Sequence, residues 1–232
     1  MTVSRNSSAF GIKPLVVATV HSTASLQEAS RLRPGAVDLL ELRVDAFAHD
    51  LALLRKSVGK LKLPLIITVR HPAEGGQNAL TVGQRRGFFR EFLPLASSID
   101  LELRSMKALA DIHQEARERG VRIIASAHHF KTTPDAMRLR AWMKNARAAG
   151  ADICKIAAQA DTVAALQRLL ELFAAPAGVP LSVMAMGRFG KISRLLFAHS
   201  GSVLNYGYLG TANASGQWPA RILRERLEDL QQ

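Results

Sequence analysis

Lys155, in the stretch "ADICKIAAQA" bounded by Gly150, sits inside a short apolar run that reads as a buried strand. Lysine is almost never fully buried without a partner, because removing an ammonium from water costs more than its stem recovers. Schiff-base formation is the chemistry that calls for such a residue. Free lysine, with a pKa of about 10.4, is a poor nucleophile at neutral pH. Desolvation and neighbouring cations lower that value and leave a neutral amine able to attack a ketone. The protonated imine is then an electron sink that acidifies the adjacent carbon, and a histidine within reach can remove that proton. Arg43, Arg70 and Arg194, if they converge, are expected to supply both the cationic field and an anion site.

Further polar residues fall in a pattern that could serve the same site. Glu41, Arg43 and Asp45 alternate in "LELRVD"; Arg70 runs into "HPAEGGQ", which carries Glu74; His128 and His129 follow Ser126 in "ASAHHF". Met184 and Met186 lead into "GRFGKISR", and a last apolar run is followed by "GTANASGQWP". Each has a plainer reading. Glu41, Arg43 and Asp45 also fit an interior ion-pair ladder, either histidine fits a hydrogen-bonded structural role, and the two methionines read as packing residues.

What would position these groups is a series of alternating elements. Strand candidates cover 15–20, 39–45, 64–70, 99–103, 122–128, 152–157, 181–186 and 202–209. Helix candidates lie near 25–33, 50–59, 82–94, 105–119, 134–149, 161–174, 191–199 and 217–231. The clearest helix is 134–149, with Pro134 suited to its first position, Leu139, Trp142, Met143 and Ala146 at helical spacing, and Gly150 as its stop. Eight strand–helix units in 232 residues predict an α/β (β/α)₈ barrel as one domain over residues 1–232. The competing doubly wound sheet would call for a glycine-rich turn after its first strand, and "HSTASLQE" after Val20 has no glycine. In a parallel barrel the active site lies at the carboxyl ends of the strands, where every one of the polar groups above falls.

Composition narrows the function classes. The chain is 48% hydrophobic and 22% charged, with no apolar run approaching the roughly 20 residues that span a bilayer. The start lacks the apolar segment of a secretory signal. A single cysteine, Cys154, excludes an intramolecular disulfide and a cysteine metal cluster, which points to a reducing cytoplasm. The net charge of +12 is scattered over helical segments, with two Trp and two Tyr as stacking surfaces, so a generally basic surface is the reading and nucleic acid a minor alternative.

Taken in order, "LELRVD", "ITVRHPAEGGQ", "IDLEL", "ASAHHF", "ADICKIA", "MAMGRFGKISR" and the terminal "ASGQ" resemble the type I 3-dehydroquinate dehydratases, over about residues 38 to 217. The resemblance implies a class I Schiff-base barrel of the shikimate pathway, usually a homodimer, with no metal or organic cofactor, converting 3-dehydroquinate to 3-dehydroshikimate and water. By position it implies Lys155 as the imine-forming residue, His128 as the general acid and base, and Glu74 as the group that orients His128. Glu41, Arg43 and Arg70 would contact substrate hydroxyls, Arg194 would clamp the substrate carboxylate, and Asn213 and Gln217 would belong to the closing loop. Three departures stand out. The loop reads Asn213-Ala-Ser-Gly-Gln217 where the family has Ser-Ala-Pro-Gly-Gln, so Ser215 is expected to make it less pre-set. His129 is expected to point away from His128. A short lead before the first strand would reduce or remove a barrel-closing hairpin. Another Schiff-base lyase or aldolase on the same fold, or a barrel that has lost turnover and binds anionic ligands, are the alternatives.

Overall fold

A computed structural model describes residues 13–174 and 176–230. Eight strands alternate with eight main helices: β1 (Leu15–Val20), α1 (Thr23–Arg31), β2 (Leu39–Arg43), α2 (Leu51–Val58), β3 (Leu65–Thr68), α3 (Val82–Phe92), β4 (Ala96–Glu102) and α4 (Ala110–Glu118) form the first half. β5 (Arg122–His129), α5 (Ala136–Ala148), β6 (Ile153–Gln159), α6 (Val163–Leu170), β7 (Leu181–Met186), α7 (Gly190–His199), β8 (Leu204–Tyr208) and α8 (Ala220–Asp229) complete it. The strands pair in the order β7-β6-β5-β4-β3-β2-β1-β8, all parallel. Side chain and backbone close the remaining seam: Val203 N donates to Leu181 O at 2.8 Å, Ser182 Oγ to Leu204 O at 2.7 Å, and Val183 N to Ser202 Oγ at 3.1 Å. The expected (β/α)₈ barrel is what forms. The lead before β1 falls largely on residues 1–12, outside the described residues.

Local chemistry sets the element ends. Ser22 caps α1 and Thr81 caps α3, each in a reciprocal box with the third helical residue. α5 starts later than the sequence suggests: Asp135, not a residue before Pro134, caps it by accepting from Arg138 N, so Pro134 precedes the cap rather than opening the helix. The side chain of Asp135 satisfies a free amide, which the proline ring cannot do. Gly150, at φ +67°, ends α5 as expected. β4 begins at Ala96, earlier than the 99–103 run, because the polar "ASS" pairs in the ladder without an apolar signature.

The barrel lumen explains where the unusual residues point. Val17, Leu39, Ile66, Ile124, Ile153 and Leu204 pack together as its apolar lower layer. Strand side chains alternate between faces, so positions two further along face the lumen again. Those positions are Thr19, Glu41, Thr68, Ser126, Lys155 and Tyr206, and all are buried. Between strands and helices lie the larger apolar layers, around Leu40, Leu42, Phe89 and Ile123 on one side and Cys154, Ile156, Leu169 and Phe197 on the other. Among the described residues no helix is long and apolar enough to cross a membrane.

Candidate active site

The carboxyl ends of the strands surround a pocket of about 600 Å³. Lys155 forms its floor, 3% exposed, with Nζ 2.9 Å from Asp100 Oδ2 and 3.1 Å from Glu41 Oε1. The ring of Tyr206 lies against the same nitrogen, 3.8 Å from centroid to Nζ. The three expected arginines do line the pocket, but two of them are neutralised. Arg43 forks onto Asp45 through Nε at 2.9 Å and Nη2 at 2.8 Å, and donates to Gly75 O. Arg70 forks onto Asp100 at 2.8 Å through both terminal nitrogens and also reaches Glu102 and Ser126. The charged groups bonded to Nζ are therefore carboxylates, and the cationic field expected from Arg43 and Arg70 is offset by their own acid partners.

This network holds its acids ionised. Burial alone would push Asp100 up, but Arg70 and Lys155 beside it hold the carboxyl well below its ordinary value. Glu41 is lowered in the same way against its own burial, by Lys155 and then Arg70. Thr19 Oγ1 and Thr68 Oγ1 each donate to Glu41 at 3.1 Å, so its oxygens are satisfied on both sides. The "LELRVD" charges form the interior ion-pair network of the plainer reading, and Lys155 is joined to it through Glu41.

His128, at the end of β5, stands beside Glu74 from the loop after β3. Glu74 Oε2 accepts the His128 backbone N–H and lies 3.0 Å from His128 Nδ1. Burial, reinforced by Glu102, raises the Glu74 carboxyl to about 7. Burial, with Arg70 and Lys155 nearby, lowers the His128 imidazole well below its ordinary value. A neutral imidazole in the wall of the pocket that holds Lys155 is able to accept a proton. His129 turns outward, as expected, and hydrogen-bonds Thr132 O through Nδ1 at 2.8 Å.

Arg194, near the start of α7, has no carboxylate partner among the described residues. Its Nε donates to Tyr206 O at 2.8 Å, and its Nη1 to the carbonyls of Ala185, Gly190 and Gly216 at 2.7–3.1 Å. Burial brings it down to about 10. A buried cation held only by carbonyl dipoles is a site for an anion. Over it folds the loop after β8. Asn213 N and Ala214 N donate to Gln217 Oε1 at 3.1 and 3.2 Å, while Asn213 Oδ1 is buried with no hydrogen-bond partner among the described residues. Ser215 ties the loop to the turn before α7. Ser215 Oγ accepts from Gly187 N at 3.0 Å, an anchor proline could not supply. Met184 and Met186 pack in the lumen and also line the pocket.

Sequence reasoning passed over Asp100 and Tyr206. Asp100 is the second residue of "IDLEL", where alternation with Glu102 is a signal that two acids share one strand face. Tyr206 carries no such signal, because a tyrosine in "LNYGY" reads as an ordinary strand residue.

A family model described as type I 3-dehydroquinase matches residues 14–232. A 3-dehydroquinate dehydratase of a Geobacillus species is 34% identical over 237 residues, covering 94% of this chain and 88% of that protein. The crystal structure of the 3-dehydroquinate dehydratase from Geobacillus kaustophilus superposes with a TM-score of 0.83 at 29% identity, covering 94% of this chain and 91% of that one. The type I enzyme of Clostridium difficile, solved with covalent modified comenic acid, gives 0.83 at 26% identity, covering 94% and 92%. A family model that matches nearly the whole chain, with a relative 34% identical over most of it, places the chain in the type I 3-dehydroquinase family.

Proposed function

We propose that the chain dehydrates 3-dehydroquinate to 3-dehydroshikimate through an imine on Lys155. The observation that carries this reading is a buried lysine sharing one pocket with a neutral histidine–carboxyl pair and an arginine that lacks a carboxylate. Arg194 is the anchor for the substrate carboxylate, and Glu41, Arg43 and Arg70 face its hydroxyls with Asn213 and Gln217 closing above. Lys155 Nζ, once deprotonated, adds to the C3 ketone and expels its oxygen as water. The cationic imine acidifies C2, His128 takes that proton, and the C1 hydroxyl leaves as water with a proton from the same imidazole. Glu74 orients His128 throughout. Hydrolysis of the imine frees the product and restores the amine. The covalent ligand in the Clostridium difficile relative fits a site of this kind.

No metal or organic cofactor has a part in these steps. We read residues 1–232 as one domain, a homodimer in the cytoplasm serving the shikimate pathway; sedimentation of the purified protein decides the stoichiometry. Borohydride added during turnover should attach the reduced ligand to Lys155, visible as a mass increase on its peptide. Lys155→Ala should lose turnover by several orders of magnitude while keeping its circular dichroism. Normal turnover by that variant would refute the imine. Aldol cleavage of keto-acids without dehydration of 3-dehydroquinate would point to another lyase on the same fold.

A further inference from the structure

Tyr206 is 2% exposed and belongs to the lumen layer that carries Glu41 and Lys155. Its ring covers the Lys155 nitrogen and its backbone carbonyl holds Arg194. The hydroxyl is different: it is buried and finds no hydrogen-bond partner among the described residues. In the same lumen, Thr19, Thr68 and Lys155 donate to Glu41, and Lys155 donates to Asp100 as well. A phenylalanine would fill the same volume and cover the same ammonium without burying a hydroxyl that bonds to nothing. An unmade hydrogen bond next to a reactive nitrogen, in the wall of a pocket, points to a partner that arrives with the ligand.

We propose that the Tyr206 hydroxyl donates a hydrogen bond to the oxygen on the carbon that Lys155 attacks, which makes Tyr206 a further catalytic residue. The proposal rests on the imine reading above. As the Nζ–C3 bond forms, the π pair of the ketone moves onto its oxygen. The nitrogen gives up one proton as that oxygen takes one, giving the carbinolamine. A second proton, from solvent, converts the carbinolamine hydroxyl to water, which departs as the C=N bond forms. Tyr206 keeps its own proton and stabilises the oxygen while it gains charge on the way in and when water returns on hydrolysis. Burial, together with Glu41 and Asp100, holds the phenol well above its ordinary value, so it remains a donor.

Single-turnover experiments quenched with borohydride measure how fast the reduced adduct builds on Lys155. Tyr206→Phe should slow that build-up about tenfold, the range of one neutral hydrogen bond, while its melting temperature equals or exceeds that of the parent. An unchanged rate of adduct build-up, with or without slower overall turnover, overturns the role of Tyr206 and leaves the imine standing. A lower melting temperature with an unchanged rate marks the hydroxyl as structural and overturns it equally. A parent protein that turns over without a trappable adduct overturns the imine itself, and the Tyr206 role with it.

Discussion

At the scale of single residues, with His128 as the proposed base, the contact between Glu74 and His128 decides which nitrogen can act. An ionised Glu74 accepts the Nδ1 proton, which leaves Nε2 free to take a proton from substrate. A protonated Glu74 donates to Nδ1 instead, and Nε2 then carries the hydrogen and cannot act. The carboxyl ionises at about 7, because it is buried and close to Glu102. The imidazole, held well below its ordinary value by burial and then Arg70, stays neutral across that range. Activity should therefore rise with pH through about 7 as Glu74 ionises. In a profile of kcat/KM against pH, Glu74→Gln should lose that inflection and run at a lower, flat level through the same range. Retention of the inflection in the variant would assign it to another group.

At the scale of elements, the loop after β8 and the start of α7 meet at two glycines. Gly216 has φ +73°, and a Cβ there would come within 2.6 Å of Gly187 O and 2.7 Å of Gly190 Cα. Gly216→Ala should lift the loop off Arg194, whose Nη1 bonds the Gly216 carbonyl. With Arg194 and the loop proposed to hold the substrate carboxylate, we expect KM to rise tenfold or more, about 1.4 kcal/mol, with the far-UV spectrum unchanged. An unaltered KM would separate the loop from binding. Such loop contacts were hidden in the sequence, since they depend on where two distant turns come to rest. The strands were legible because their apolar runs are long and bounded, and period-two alternation carries Lys155, Glu41 and His128 to the lumen once the barrel is assumed. The true neighbours of Lys155 were not. Which side chain meets which across a barrel follows from strand stagger, so the sequence pointed to a cationic field from the arginines and did not show that Asp100 and Glu41 pair with Lys155.

At the scale of the whole molecule, the site loads the fold with two opposite pH dependences. Asp100 and Glu41 sit below their ordinary values in the folded protein, so their contribution to stability is present above the unfolded values and lost as pH falls through the folded ones. Glu74 runs the other way. Its folded value, about 7, lies above the unfolded 4.5, so the folded state holds a proton that the unfolded state has released. Stability from that protonated carboxyl is full below pH 4.5 and is lost as pH rises through 7. Replacing Glu74 with Gln keeps an acceptor for the His128 N–H but removes the titration. The difference in unfolding free energy between Glu74→Gln and the parent should be near its minimum at pH 4.5. By pH 8 the variant should gain, relative to that difference, on the order of 3 kcal/mol. Denaturant titrations of both proteins at the two pH values measure it, and the acid-side losses at Asp100 and Glu41 cancel because they are common to both. A difference that stays constant with pH would mean that Glu74 ionises in the folded protein as it does in the unfolded chain, and the rise in activity through about pH 7 would then need another source.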